Sequence, residues 1–265
     1  MSKIKAIISD ADGTLVNTLY LIRHGQYETA KTYLTQHGVP IKHIPSYEEY
    51  EKHLHTVLGG SARETLERTI KLIYEEIPEH IEGIDYDVLH DMLNPIQDKI
   101  APEYVKAYPG LENLLKTLGK KKIDLAIFTS GTPHHVVRNF GIAIPELELT
   151  SLFTEDNRTD LEKMHMLEQK MEQYFNIPKM IFITCDDITA NKPDPESILV
   201  ALDRLSKSKE DALVLGDHKV DIQAGMNAGI PTRVGVSHGF DDVDALKKAG
   251  ATQVIHSLEE IPTLL

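Results

Sequence analysis

The 265-residue chain has no tryptophan and a single cysteine, Cys185. One cysteine excludes an intrachain disulfide and a thiolate-rich metal cluster. It closes the strand-like run Met180-Ile181-Phe182-Ile183-Thr184-Cys185, where a small, half-buried residue is expected. Positive charge is also scarce: 28 Lys+Arg stand against 41 Asp+Glu, a net charge of −13. That balance argues against nucleic acid or an anionic membrane surface as a partner. An anionic substrate would have to be held by local positive charge or by a metal. No apolar run approaches the ~18 residues that cross a bilayer. No signal-peptide core is visible, because Ile4–Ile8 leads directly into a polar loop. A soluble, reducing, cytoplasmic setting is the expectation. The apolar share of 41% and charged share of 26% are those of an ordinary globular protein, long enough for one large domain or two small ones.

The first informative stretch is Ile4 to Thr14. A short apolar run ends in Asp10-Ala11-Asp12-Gly13-Thr14. The run fits a buried strand handing over to a loop. Read alone, the two aspartates are either part of a turn or a pair of carboxylates put to use, as nucleophile and acid/base or as ligands of a hard cation.

Beyond this loop, Leu15–Gly38 and residues 46–100 read as helical, with Gly25 a weak point in the first helix. Ser46 and Glu49 have capping-box spacing. No convincing strand falls between Val16 and Ala101. From Tyr108 onward, strands and helices alternate. Strands are expected at Ile123–Thr129, Met180–Thr184, Ala212–Gly216, Thr232–Val236 and Gln253–Ile255. Helices are expected at Leu111–Leu118, His134–Phe140, about Leu161–Phe175, Ser197–Leu205 and Asp221–Gly229. Alternation of this kind predicts an α/β fold with a doubly wound parallel sheet.

Four polar signals then fall at or just after strand ends: Asp10/Asp12, Thr129/Ser130, Lys192 in Asn191-Lys192-Pro193-Asp194-Pro195, and Asp217/Asp221. The carboxyl ends of parallel strands share one edge, so these groups can converge. Four carboxylates, a lysine and a hydroxyl suit Mg²⁺ and a phosphoryl group. Magnesium takes carboxylate and phosphate oxygens, and lysine neutralises charge on the transferring group.

In their order and spacing these motifs resemble the haloacid dehalogenase superfamily, in the subgroup of phosphoglycolate phosphatase and β-phosphoglucomutase. Asp10-Ala11-Asp12-Gly13-Thr14-Leu15 matches its first motif and Phe128-Thr129-Ser130-Gly131 its second. Lys192-Pro193-Asp194-Pro195 matches the third, and Gly216-Asp217 through Asp221 the fourth. The resemblance covers nearly the whole chain. It implies a Rossmann-like core (1–16 and 104–265) with an all-helical cap inserted at 17–103. It also implies a Mg²⁺-dependent phosphatase for a small phosphorylated metabolite, with a phosphomutase of the β-phosphoglucomutase type as alternative. A catalytically silent scaffold on the same fold is a third reading, opposed by the intact aspartates and lysine.

By this resemblance Asp10 attacks phosphorus and Asp12 is the acid/base. Thr129, Ser130 and Gly131 grip the phosphoryl group, and Lys192 stabilises it. Asp10, Asp217, the backbone carbonyl of Asp12, and Asp221 surround the metal. Within the cap, Gly59-Gly60-Ser61-Ala62-Arg63 is the expected specificity loop, with Arg63 as a holder of a second anionic group. Two departures stand out: Asn17 occupies a place where relatives often carry an acid, and residues 142–178 lengthen the gap between the second and third motifs.

A rival pattern is present. Arg23-His24-Gly25 resembles the signature of the histidine phosphatases, and His238-Gly239 resembles their later motif. That reading leaves Asp10, Thr129, Lys192 and Asp217 without a task and puts Arg23-His24 on a helix instead of a strand end. His53/His55 and His134/His135 lack zinc spacing.

Overall fold

A computed structural model describes residues 4–57, 61–148 and 157–265. The chain divides into two compact units, one formed by 1–18 and 105–265, the other by Leu19–Tyr104.

The first unit is built on six parallel strands. They are β1 (Ala6–Asp10), β4 (Asp124–Phe128), β5 (Met180–Ile183), β6 (Ala212–Gly216), β7 (Thr232–Val236) and β8 (Gln253–Ile255), in the spatial order β5-β4-β1-β6-β7-β8. β1, β4 and β6 are buried throughout, which is why they read as unbroken apolar runs instead of alternating ones. β1 lies at the centre. Asp10 is in register with Phe128 of β4, and Ser9 with Leu215 of β6. The residues that follow β1, β4 and β6 therefore emerge side by side at one sheet edge.

Two short strands, β2 (Val16–Asn17) and β3 (Lys106–Ala107), pair antiparallel where the chain leaves this unit and where it returns. The helix expected from Leu15 therefore starts later, at Leu19. Val16 is taken up by Ala107 and by a hydrogen bond from its N–H to the Ala11 carbonyl.

Helices flank the sheet: α6 (Leu111–Lys121), α7 (Pro133–Ala143), α8 (Asp160–Phe175), α9 (Glu196–Leu205), α10 (Lys219–Asn227) and α11 (Val243–Lys248). One face of the sheet packs Ile8, Phe128, Ile183 and Val214 against Ile198, Ala201, Leu202 and Leu205 of α9. The long gap between the second and third motifs contains the 16-residue helix α8. Thr159 caps it in a reciprocal box with Glu162, and it buries Met164, Leu167, Met171 and Phe175. It is one of the covering helices of the crossover between β4 and β5.

The second unit contains α1 (Leu19–Gln36), α2 (Tyr47–Val57), α3 (Ala62–Ile73), α4 (Tyr86–Asp91) and α5 (Leu93–Tyr104). Its core is formed by Tyr27, Leu34, Tyr50, Leu54, Leu66, Ile70, Tyr74, Leu89 and Leu93. Gly25 does not interrupt α1. A Cβ there would press on the side chain of Gln97 in α5, so the glycine permits a close helix pair. Ser46 accepts from the Glu49 N–H ahead of α2, and Ser61 forms a full capping box with Glu64 on α3.

Candidate active site

Asp10 is the last residue of β1, and its side chain is buried. Its Oδ1 accepts from Lys192 Nζ at 2.5 Å, and Lys192 also donates to Asp221 Oδ1 at 2.8 Å. The ammonium lies 4.5 Å from the centre of the Phe128 ring, which closes its apolar side. Asp217 follows β6 directly, and Asp221 lies in the first turn of α10. The Thr14 hydroxyl is 2.6 Å from Asp217 Oδ1 and 3.1 Å from Asp10 Oδ2. One hydroxyl proton serves one carboxylate at a time, and the shorter contact is to Asp217.

Backbone N–H groups hold the remaining oxygens. Phe240 N–H donates to Asp217 Oδ2 at 2.7 Å, and His218 N–H donates to Asp221 Oδ2 at 3.0 Å. Gly239 lies so close to Asp217 that a Cβ would overlap the carboxylate, so only glycine fits there.

Oxygens of Asp10, Asp217 and Asp221 all lie within 4.8 Å of one another. Burial pushes the Asp10 carboxyl well above the ordinary carboxylate range. Lys192 opposes this, while Asp221 and Asp217 add to it. Asp217 is pushed up to about 7, first by burial and then by the charge of Asp221. Burial acts to lower Lys192, but Asp10 and Asp221 outweigh it and hold the ammonium charged.

Were all three carboxylates ionised beside the one ammonium, two negative charges would be left in a buried place. The donors are hard oxygens, and the surplus equals the charge of one divalent cation. This set fits Mg²⁺ better than a nitrogen- or sulfur-seeking metal.

Asp12 is handled differently. Its Oδ1 accepts from Thr18 Oγ1 at 2.9 Å and from Asn139 Nδ2 at 3.0 Å, and its Oδ2 accepts from Thr129 Oγ1 at 3.0 Å. Thr129 follows β4, and its hydroxyl in turn accepts from Gly131 N–H at 2.9 Å. The Gly131 carbonyl is held by Cys185 N–H, and Ser130 is exposed at the tip of this loop. Cys185 begins a turn just after β5, where burial pushes its thiol up to about 11 and keeps it protonated.

Asp10, Asp12, Thr14, Thr129, Lys192, Asp217 and Asp221 thus converge, with directly hydrogen-bonded pairs up to 203 residues apart in sequence. Thr18, Asn139 and the Phe240 N–H are not singled out by the sequence, and Gly239 enters it only through the rival pattern's His238-Gly239. Thr18 and Asn139 carry no local signal, because what they hold is far away along the chain or around a loop.

Arg63 belongs to the helical unit. It lies in the first turn of α3 and pairs with Glu67 of the same helix at 3.0 Å and with Asp87 of α4 at 2.5 Å. Gly59 and Gly60 of the expected specificity loop lie outside the described residues. Arg23 and His24 sit within α1, not at a strand end. Arg23 pairs with Glu51 at 3.0 Å, and the His24 ring stacks on Tyr20 with Tyr47 beside it. His238 belongs to the sheet unit, where its ring stacks on Tyr108 and its Nε2 meets the Thr14 carbonyl at 3.0 Å. The two halves of the rival pattern therefore lie in different units.

A strand-ending aspartate flanked by lysine and two further aspartates, at the edge of a doubly wound sheet, defines a class of hydrolases. Residues 4–229 match the family model of the haloacid dehalogenase-like hydrolases, and the chain belongs to that family. It is 29% identical over 263 residues to the phosphorylated carbohydrates phosphatase of Thermotoga maritima, covering 99% of this chain and 98% of that one. It is 24% identical over 229 residues to the phosphoglycolate phosphatase of Aquifex aeolicus, covering 86% and 83%. Among solved structures, a hydrolase from Pseudomonas syringae shares the fold with a TM-score of 0.67 at 23% identity, over 98% of this chain and 97% of that chain.

Proposed function

We propose that this hydrolase is a Mg²⁺-dependent phosphatase that cleaves a small organic phosphate monoester through an aspartyl-phosphate on Asp10. The supporting observation is the unequal setting of two aspartates two residues apart. Asp10 sits in a carboxylate cluster under the charge of Lys192, whereas Asp12 hangs on neutral donors beside the Thr129 hydroxyl. Unequal environments are how paired carboxylates acquire separate nucleophile and acid/base roles.

In the first step an Asp10 oxygen attacks phosphorus, and the bond to the leaving oxygen breaks. The electron pair goes to that oxygen, which takes a proton from Asp12 and departs as an alcohol. In the second step water attacks phosphorus and gives its proton to Asp12. The bond to Asp10 breaks, freeing phosphate and the carboxylate. Lys192 offsets charge on the phosphoryl oxygens, and Thr129 with the Ser130 and Gly131 backbone orients them. Asp10, Asp217 and Asp221, with the Asp12 backbone carbonyl, are the residues that would hold Mg²⁺. When bound, the ion supplies Lewis-acid neutralisation of the phosphoryl oxygens.

For the substrate we favour a phosphorylated carbohydrate, the class in the name of the Thermotoga relative that matches the chain end to end. The helical unit, as a cap, would choose among such substrates, with Arg63 one candidate contact. A net charge of −13 supports a metabolite over nucleic acid. A phosphate-release screen over sugar phosphates, phosphoglycolate, nucleoside monophosphates and pyrophosphate tests the proposal. We expect release from at least one sugar phosphate with Mg²⁺, lost in EDTA and lost in Asp10→Asn. Undiminished activity in EDTA, or near wild-type turnover by Asp10→Asn, would sink it.

A further inference from the structure

Asn139 is a buried polar residue of α7, 127 positions from the aspartate it touches. Its carbonyl Oδ1 accepts from Arg138 Nε at 3.0 Å. Arginine only donates, so this contact fixes which way the amide points and leaves Nδ2–H₂ facing Asp12. An amide nitrogen donates and does not accept. Asp12 Oδ1, which also receives the Thr18 hydroxyl, therefore meets a donor that cannot turn round.

The other oxygen meets a different partner. Thr129 Oγ1, 3.0 Å from Oδ2, is a hydroxyl that donates to a carboxylate and can accept from a protonated carboxyl. It already takes the Gly131 N–H on one lone pair and retains another. A proton on Oδ1 would displace one of its two donors and weaken the bond from the fixed Asn139 N–H, whereas a proton on Oδ2 leaves both donors on Oδ1 and is accommodated by rotation of the Thr129 hydroxyl.

We infer that Asn139 is a positioning residue that makes Oδ1 of Asp12 the anchored oxygen and Oδ2 the one that gains and loses the catalytic proton. This rests on the reading of Asp12 as acid/base. Arg138 acts one step further back, by holding the amide.

The test compares leaving groups. Nitrophenolate departs without a proton, whereas a sugar alkoxide needs one. Single-turnover formation of the aspartyl-phosphate is measured for p-nitrophenyl phosphate and for a sugar phosphate that the wild-type enzyme hydrolyses. Asn139→Leu, near in volume and without a donor, is expected to lose roughly 100-fold on the sugar phosphate, the low end of what general acid catalysis contributes. It should lose only a few-fold on p-nitrophenyl phosphate. Asn139→Ser, a smaller replacement, should show the same skew in weaker form and carries the test should the leucine variant fail to fold; thermal unfolding checks both. A merely structural role would reduce both substrates alike, and equal losses overturn the inference. Asp12→Asn separates the two levels. If it discriminates between leaving groups and the Asn139 variants do not, the inference falls while the proposed function stands. If Asp12→Asn does not discriminate either, the acid role of Asp12 falls and the inference with it.

Discussion

Lys192 is the only cation in contact with the carboxylate cluster among the described residues, so replacing it should expose what the cluster costs. Lys192→Met keeps the aliphatic volume against Phe128 and removes the charge. The side chains of Lys192, Asp10 and Asp221 are 9%, 7% and 2% exposed, so solvent screens little. At 4 Å and an effective dielectric of 20 a pair is worth about 4 kcal/mol, and here two pairs are closer than that, offset by desolvation. Stripping one partner from a buried pair typically costs about 3–5 kcal/mol, because the remaining charge is left uncompensated.

The cost should depend on pH, and its sign follows from the carboxyl shifts. Asp10 and Asp217 have folded-state pKa values above the unfolded 3.8, Asp217 at about 7. Between these limits the folded metal-free protein binds more protons than the unfolded chain, so its stability rises as pH falls. Removing Lys192 pushes both carboxyls higher and steepens that slope. With EDTA present, Lys192→Met should melt roughly 6–20 °C below wild type near pH 8, taking about 2–4 °C per kcal/mol for a unit of this size. Near pH 5, where Asp217 is protonated and no longer repels the carboxylates that Lys192 held, the gap should narrow. Circular dichroism melting curves at both pH values decide the matter. A gap that is the same at both, or absent near pH 8, would refute the charge argument.

The same shifts predict that Mg²⁺ must displace a proton from Asp217. The rise in melting temperature on adding Mg²⁺ should therefore shrink as pH falls below about 7. A Mg²⁺-induced rise that is flat across this range would contradict it. Gly239→Ala would drive a methyl into the Asp217 carboxylate. It should weaken Mg²⁺ activation by about 10–100-fold, the usual effect of disturbing the support of a metal ligand. Calorimetric titration with Mg²⁺ gives a readout independent of turnover.

Much of the sheet was legible because a buried parallel strand is an unbroken apolar run between turn residues. Ala212–Gly216, Thr232–Val236 and Gln253–Ile255 are strands with the bounds read from sequence. Helix ends were less legible. Val16–Asn17 looked like the start of a helix, and pairing with Lys106–Ala107 makes it a strand. That partner lies some ninety residues away, and no local pattern announces it. The aspartates, Thr129 and Lys192 were visible because each stands at or after a strand end in a recognisable motif. Arg138 and Asn139 were not: two adjacent polar residues on a helix suggest a solvent face, yet both are buried.

The sequence alone determined that a parallel sheet would bring Asp10, Thr129, Lys192 and Asp217 to one edge. Strand period and crossover topology leave few other arrangements. It also put carboxylates, a lysine and a hydroxyl at that edge, the residue types that suit a hard cation and a phosphoryl group. Only the tertiary structure decided how the two aspartates of the first motif differ. Asp10 meets an ammonium and two carboxylates, whereas Asp12 meets two hydroxyls and an amide. Two residues apart in sequence, they face separate neighbourhoods, and a carboxylate's chemistry is set by the groups its oxygens touch.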